Sequence, residues 1–181
     1  MRSERARLWI ASIAAGAVAF GVVVPLIDQF MGGDEQVSDW QITRGGNPDV
    51  RLAHTQARDA FPVFLAALEA ADAGAGVFEV AVELPAPNGT PTKVWLENVS
   101  LAAGEVSGHL KLTPPDGLTE DLKKGDKTSF TRAQILDWRY VENGLWRGDF
   151  VVRVILSEYP EDVRARIVEN MHDRPILSAP D

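Results

Sequence analysis

The chain of 181 residues contains no cysteine and only three histidines. Without cysteine, it cannot form a disulfide, a thiolate nucleophile, an iron–sulfur cluster or a cysteine-based zinc site. The histidines, His54, His109 and His172, fall on three separate predicted elements and show no HxxxH or HxH spacing. The sequence therefore predicts neither a metal site nor a histidine-based catalytic pair.

The motifs that bind cofactors or activate nucleophiles are also missing. There is no G-x-G-x-x-G, no phosphate-binding loop and no G-x-S-x-G. These patterns mark dinucleotide sites, nucleotide phosphate sites and the nucleophile of many hydrolases. We expect no cofactor and identify no catalytic residue, so a non-enzymatic protein is favoured.

Positive charge is scarce outside the N-terminus. The formal net charge is −8, of which the first 31 residues carry +1 and the remainder −9. Affinity for nucleic acid depends largely on Lys and Arg side chains that neutralise phosphates. DNA and RNA are therefore poor candidate partners.

Charged side chains are absent from residues 8–27, a run of twenty. As a helix this run is about 30 Å long, which matches the hydrocarbon thickness of a bilayer. Three arginines precede it, whereas acidic residues follow, so the N-terminus is expected in the cytoplasm. We predict a transmembrane anchor in residues 1–31, a linker in 32–49, and a domain exported across a bacterial inner membrane. Two alternatives stay open: a signal peptide cleaved at Ala17-Val18-Ala19 and a buried core helix.

The remaining pattern predicts an α+β fold, in which one or two helices pack on a mainly antiparallel sheet. Three- and four-residue spacing of apolar residues indicates a helix over 49–73, and alternation indicates a strand over 77–84. A hairpin is predicted over 93–112 and a short strand over 127–130. A second hairpin, 138–141 with 145–156, is predicted around Asn143-Gly144. The domain is expected to span 50–157, and a helix with a loose tail to span 158–181.

Several short motifs carry a family resemblance. They include Lys93-Val94-Trp95-Leu96-Glu97-Asn98-Val99, Gln134-Ile135-Leu136-Asp137-Trp138, Gly144-Leu145-Trp146-Arg147-Gly148 and Val152-Arg153-Val154-Ile155-Leu156. On the basis of these motifs, residues 53–156 resemble the DUF2314 (YegJ-like) family of uncharacterised bacterial domains. The resemblance implies a compact α+β domain and no known activity. The chain departs from the family pattern at Leu112-Thr113-Pro114-Pro115.

Four residues are candidates for ligand binding: Asp137, Trp138, Arg153 and His109. Asp137 would accept hydrogen bonds, and Trp138 would stack on a ligand. The favoured alternative is architectural: Asp137 caps backbone donors where a short turn meets a strand, and Trp138 fills the core. Arg153 is expected to pair with Asp137 across the sheet.

Three functions follow from these observations. The first is a single-pass membrane protein that displays a non-enzymatic binding or interaction domain outside the cytoplasm. The second is an enzyme of unknown reaction with a cleft around Asp137, Trp138 and Arg153. The third is a structural component of an envelope complex. The expected partners are the lipid bilayer, through residues 8–27, and a protein of the membrane or envelope.

Overall fold

A computed structural model describes residues 47–71, 76–85, 91–114 and 122–176. All of them belong to one compact unit, Ile42–Asp181. The predicted anchor and most of the predicted linker lie outside the described residues. None of the described helices is long and apolar enough to cross a membrane.

The first helix, α1, spans Pro48–Ala70. Its N-terminus is capped by the Asn47 side chain, whose oxygen accepts a hydrogen bond from the Asp49 backbone N–H at 2.9 Å. Proline is well suited to the first helical position because its missing N–H would have no intrahelical partner there. Three- and four-residue steps place one apolar stripe on the buried face: Val50, Ala53, Ala57, Phe61 and Phe64.

In the part of the chain that the structure describes, six antiparallel strands form one sheet with the order β4-β3-β2-β1-β5-β6. The second hairpin turns at Asn143-Gly144, where φ is positive at both residues (51° and 81°), as a tight two-residue turn requires. The strands are β1 Phe78–Leu84, β2 Thr92–Ala102, β3 Glu105–Leu110, β4 Lys127–Phe130, β5 Ile135–Glu142 and β6 Leu145–Gly148.

The chain after β6 is helical. A short helix, α2, spans Phe150–Ile155, and a third helix, α3, spans Glu161–Glu169. The prediction of a strand over 145–156 is therefore wrong beyond Gly148. The chain turns because Gly148 and Asp149 both have positive φ, at 91° and 53°. A Cβ at Gly148 would lie 2.1 Å from the Trp138 carbonyl oxygen, so only glycine fits there.

The α+β fold class is confirmed, since the described residues form three α-helices and a six-stranded antiparallel sheet. The α1 stripe packs on one face of the sheet, where alternate residues of each strand point toward it. Phe64 is fully buried and its ring lies 5.2 to 6.2 Å from those of Phe61, Phe78, Trp138 and Tyr140. The strand residues between those that point toward α1 form the opposite face of the sheet.

Candidate functional site

The opposite face of the sheet carries a buried charged cluster, which we define as Glu79, Lys111, Arg139 and Asp149. Glu79 on β1 lies directly opposite Arg139 on β5. Both are among the alternate residues of each strand whose side chains point away from α1. Both are almost fully buried, with 2% and 3% of their surface exposed. Charges this deep require partners, because an unpaired buried ion is costly.

The ion pairs in this cluster are close. Arg139 Nε donates to Glu79 Oε2 at 2.7 Å, and its Nη2 lies 2.6 Å from the same oxygen. Lys111 Nζ donates to the other carboxylate oxygen, Oε1, at 2.7 Å. Burial alone would raise the pKa of Glu79, but the charges of Arg139 and Lys111 outweigh it and hold that pKa below its usual value.

Two tryptophans enclose the Arg139 guanidinium. Its central carbon lies 4.8 Å from the Trp95 ring centroid and 4.5 Å from that of Trp146. Attraction between a cation and an indole face strengthens when both are removed from water. The cluster therefore holds one guanidinium between two rings and fixes it in place by a carboxylate.

Asp149 lies at the margin of the cluster in a strained setting. Its backbone is left-handed, and its Oδ1 is 3.8 Å from Arg139 Nη1. Among the described residues, this oxygen accepts no hydrogen bond. Burial raises the pKa of Asp149 to about 7; the Arg139 charge opposes the shift, whereas the Asp137 and Glu79 charges add to it. A carboxyl group in such surroundings holds its proton near neutral pH.

Asp137 is internally satisfied. Its carboxylate accepts backbone N–H bonds from Trp138 (2.8 Å), Phe150 (3.0 Å) and Val151 (2.9 Å). The last two are donors at the start of α2 that have no partner within the helix. Burial raises the pKa of Asp137 to about 6, although these hydrogen bonds and Lys93 oppose the shift. Asp137 thus caps a helix that begins thirteen residues later.

The other three candidates lie in different places. Trp138 is fully buried against α1, where its Nε1 donates to the Ala57 carbonyl at 2.8 Å. Arg153 is on α2, and its Nε donates to the Gly148 carbonyl instead of pairing with Asp137. His109 is half-buried on β3, opposite Glu97 and Lys127. Ligand binding by these four residues stays a prediction.

Alternation along the strands does not by itself identify the charged cluster. Glu79 and Arg139 occupy the positions that alternate with apolar residues, which sequence reasoning assigns to solvent. Nothing in the pattern around them shows that the second face is also buried. The pairing of Glu79 with Arg139 depends on β1 and β5 being neighbours, although 60 residues separate them.

A separate groove of about 530 Å³ opens between α1 and the β3–β4 side of the sheet. Apolar side chains and exposed polar groups share its walls. None of the four sequence-predicted candidates lines it. Residues on its walls include Phe61, Leu65, Val106, Ser129, Phe130 and Arg132.

Arg132 forms the polar margin of the groove. Its Nε donates to the Arg58 carbonyl at 2.8 Å, and its Nη2 lies 3.5 Å from the Asp59 carboxylate. The side chain stays 55% exposed, so part of the guanidinium is accessible to a bound molecule. The groove combines apolar surface with an accessible cation.

The described residues contain no group of three His, Asp or Glu side chains placed to hold a metal ion. Their arrangement offers two kinds of chemistry. One is a set of internal ion pairs on the far face of the sheet, in which the Glu79 carboxylate is paired on both oxygens. The other is an open surface that can bind a polar and partly apolar molecule.

The comparison with protein families gives a match over residues 47–171, to a family described as "Uncharacterized protein conserved in bacteria (DUF2314)". The chain belongs to this family, as the resemblance predicted. Comparison of the chain with curated proteins found no match, and neither did its comparison with solved structures.

Proposed function

We propose that the chain is a single-pass membrane protein whose DUF2314 domain is a non-enzymatic interaction module outside the cytoplasm. In this proposal residues 8–27 anchor the chain in the inner membrane, and the groove beside α1 binds a protein of the membrane or envelope. The twenty-residue uncharged run, with arginines before it and acidic residues after it, supports the anchor and its orientation.

The observation that carries the binding role is the groove. It is open, it is about 530 Å³ in volume, and it joins apolar walls to the exposed Arg132. Concave surfaces with a few polar groups are the usual places for recognition. The charged cluster has the opposite character, because its Glu79 carboxylate is already paired on both oxygens. An enzyme built on Asp137 would first have to give up the capping bonds of α2.

Membrane topology is tested by protease treatment of intact spheroplasts that produce the full chain with an N-terminal epitope. We expect protease to digest the domain and leave a small tagged fragment protected in the membrane. A mature N-terminus at Phe20 would show cleavage by signal peptidase, and a fully protected chain would contradict export.

The binding role is tested by placing a photoreactive phenylalanine analogue in the groove of the full chain in cells. Leu65 lines the groove, whereas Leu52 on the same helix is 55% exposed and does not line it. We expect a discrete protein adduct when the analogue replaces Leu65. The adduct yield should be at least about tenfold lower when the analogue replaces Leu52. Equal yields at the two positions, or no adduct from Leu65 and Val106, would contradict the proposal.

A further inference from the structure

We infer that the free edge of β4, together with the groove, binds an extended acidic polypeptide segment that adds to the sheet as a further strand. This inference rests on the proposed interaction role and specifies the partner's conformation and charge. A bound strand would pair its backbone with β4 and place alternate side chains in the groove.

The two edges of the sheet differ. Residues after α3 cover the β6 edge, where Trp146 N–H donates to the Asn170 carbonyl at 2.8 Å and His172 N–H donates to the Trp146 carbonyl at 2.9 Å. At the other edge, β4 pairs with β3 alone among the described residues. An unpaired edge presents backbone donors and acceptors to any chain that approaches it.

The ladder register identifies which backbone groups are free. Leu110 N–H donates to the Asp126 carbonyl at 2.9 Å, so this pair is hydrogen-bonded. Hydrogen-bonded pairs alternate along an antiparallel ladder, which makes Thr128 and Phe130 the next residues bonded to β3. Lys127 and Ser129 therefore direct their backbone N–H and C=O groups toward the open edge.

The charge near this edge is opposite to that of the whole chain. Residues 122–132 carry four cations and one acid, in a chain of net charge −8. The acid, Asp126, accepts a hydrogen bond from the Lys123 backbone N–H at 2.8 Å, and with its charge included the segment carries +3. The four exposed cations are Lys123, Lys124, Lys127 and Arg132. A positive edge on an acidic domain favours an acidic partner and speeds its encounter.

The groove continues this edge. Ser129, Phe130 and Thr131 belong to β4 or follow it directly, and all three line the groove. Apolar side chains of the bound strand would contact Phe61 and Leu65, while its acidic residues would face Lys127 and Arg132. Glu105, at the start of the neighbouring strand β3, also lines the groove; its charge disfavours acidic groups beside it and keeps them at the β4 margin.

A second copy of this chain is a poorer occupant. Two β4 edges paired with each other would bring the cationic segments 122–132 of both copies to one seam, and like charges brought together at an interface are destabilising. The four-residue length of β4 also suits a short segment better than a long shared sheet.

The test uses the full chain in detergent micelles and a fluorescent seven-residue peptide of alternating glutamate and valine. We expect saturable binding in fluorescence anisotropy, weakened at least tenfold when lysine replaces glutamate. Methylation of alternate peptide amides, which removes the backbone donors, is expected to cause a similar loss. Binding should weaken as salt rises from about 0.05 M to 0.5 M.

Ser129→Pro removes one outward N–H and leaves the β3 ladder intact, because proline is tolerated at the open side of an edge strand. We expect peptide affinity to fall at least tenfold at an unchanged urea midpoint. Ser129→Val, which keeps the N–H, should bind like the wild type. The double variant Lys127→Glu/Arg132→Glu should also lose binding, whereas the control Arg51→Glu should not.

Three outcomes would overturn the inference: no peptide binding, unchanged binding by Ser129→Pro, or a dimer in sedimentation that Ser129→Pro abolishes. If photo-adducts form at Leu65 while these peptide results are negative, the interaction role stands and only the strand-addition inference fails. If the adducts are absent as well, both proposals fail.

Discussion

Both faces of the sheet contain buried residues in strands β1 and β5, but different interactions stabilise them. On the α1 face, Phe64, Trp138 and their neighbours are packed aromatic and aliphatic side chains. On the opposite face, the Glu79 carboxylate joins Arg139 and Lys111. Apolar contacts are non-directional and add up by area, whereas each buried charge depends on specific partners. The first face should therefore lose stability in proportion to removed volume, and the second according to which partner is lost.

The largest expected loss is on the apolar face. Phe64→Ala should lower the free energy of unfolding by about 3–5 kcal/mol, because it removes a fully buried ring and leaves a cavity. Urea titration followed by tryptophan fluorescence measures the change. Leu52→Ala, on the exposed side of the same helix, should change it by less than about 0.5 kcal/mol. Similar losses for the two variants would show that α1 does not pack as described.

The next effect concerns the charged face. Glu79→Gln keeps the shape of the side chain but leaves Arg139 and Lys111 without their counter-charge, which should cost about 3 kcal/mol at neutral pH. Because the folded pKa of Glu79 is lowered, its contribution is present above the ordinary pKa near 4.5 and is lost as pH falls. Wild type and variant should therefore converge in acid.

The double variant Glu79→Leu/Arg139→Met separates pairing from burial. Both variants remove the carboxylate that Lys111 contacts, so they differ in whether the Arg139 charge stays buried without it. Replacing an ion pair by apolar side chains is often nearly neutral, so the double variant should be more stable than Glu79→Gln alone. Equal or greater destabilisation in the double variant would mean that the second face depends on volume, like the first.

The smallest of these effects is a pH dependence at Asp149. Its folded pKa, about 7, lies above the ordinary value of 3.8, so the folded state keeps a proton that the unfolded state loses. The contribution of Asp149 to the stability of the wild type should therefore be lost as pH rises from about 4 to 7. Asp149→Asn cannot ionise and tolerates the left-handed backbone.

We therefore expect this variant to exceed the wild type by at least about 1 kcal/mol at pH 8, because each unit of raised pKa corresponds to about 1.4 kcal/mol, and to match it at pH 4. The measurement is the urea unfolding free energy across that range. Asp59→Asn is the control, because the Asp59 side chain is 74% exposed. A parallel pH profile for Asp149→Asn and the wild type would contradict the assignment.

Most elements could be predicted from local pattern. The α1 stripe repeats at helical spacing, β1 alternates, and Asn143-Gly144 marks a tight hairpin turn. Each signal involves residues near one another in the chain. The error lay in residues 149–156, where an apolar segment was assigned to a strand. Apolar runs of this length do not distinguish a strand from a buried helix, and the helix start depends on Asp137, which is distant in sequence.

The candidate site was predictable to a smaller extent. The architectural role considered for Asp137 and Trp138 matches the capping and packing that the structure shows, but the partner of Asp137 is α2 and not the short turn. A bulge near Leu136 shifts the register between β1 and β5. It places Ile135 and Trp138 on the α1 face and Asp137 on the other. Simple alternation does not indicate such a shift.

The sequence by itself determined the family, the α+β class, the positions of most strands and the uncharged N-terminal run. The family follows from a resemblance in short motifs, and the rest from composition and short-range periodicity; all of these involve residues near one another in the chain. Only the tertiary structure decided that Arg139 lies between Trp95 and Trp146, that Glu79 is its partner, and that β4 is left open beside a groove. Such features arise from the order of strands in the sheet, which brings together residues that are far apart in sequence.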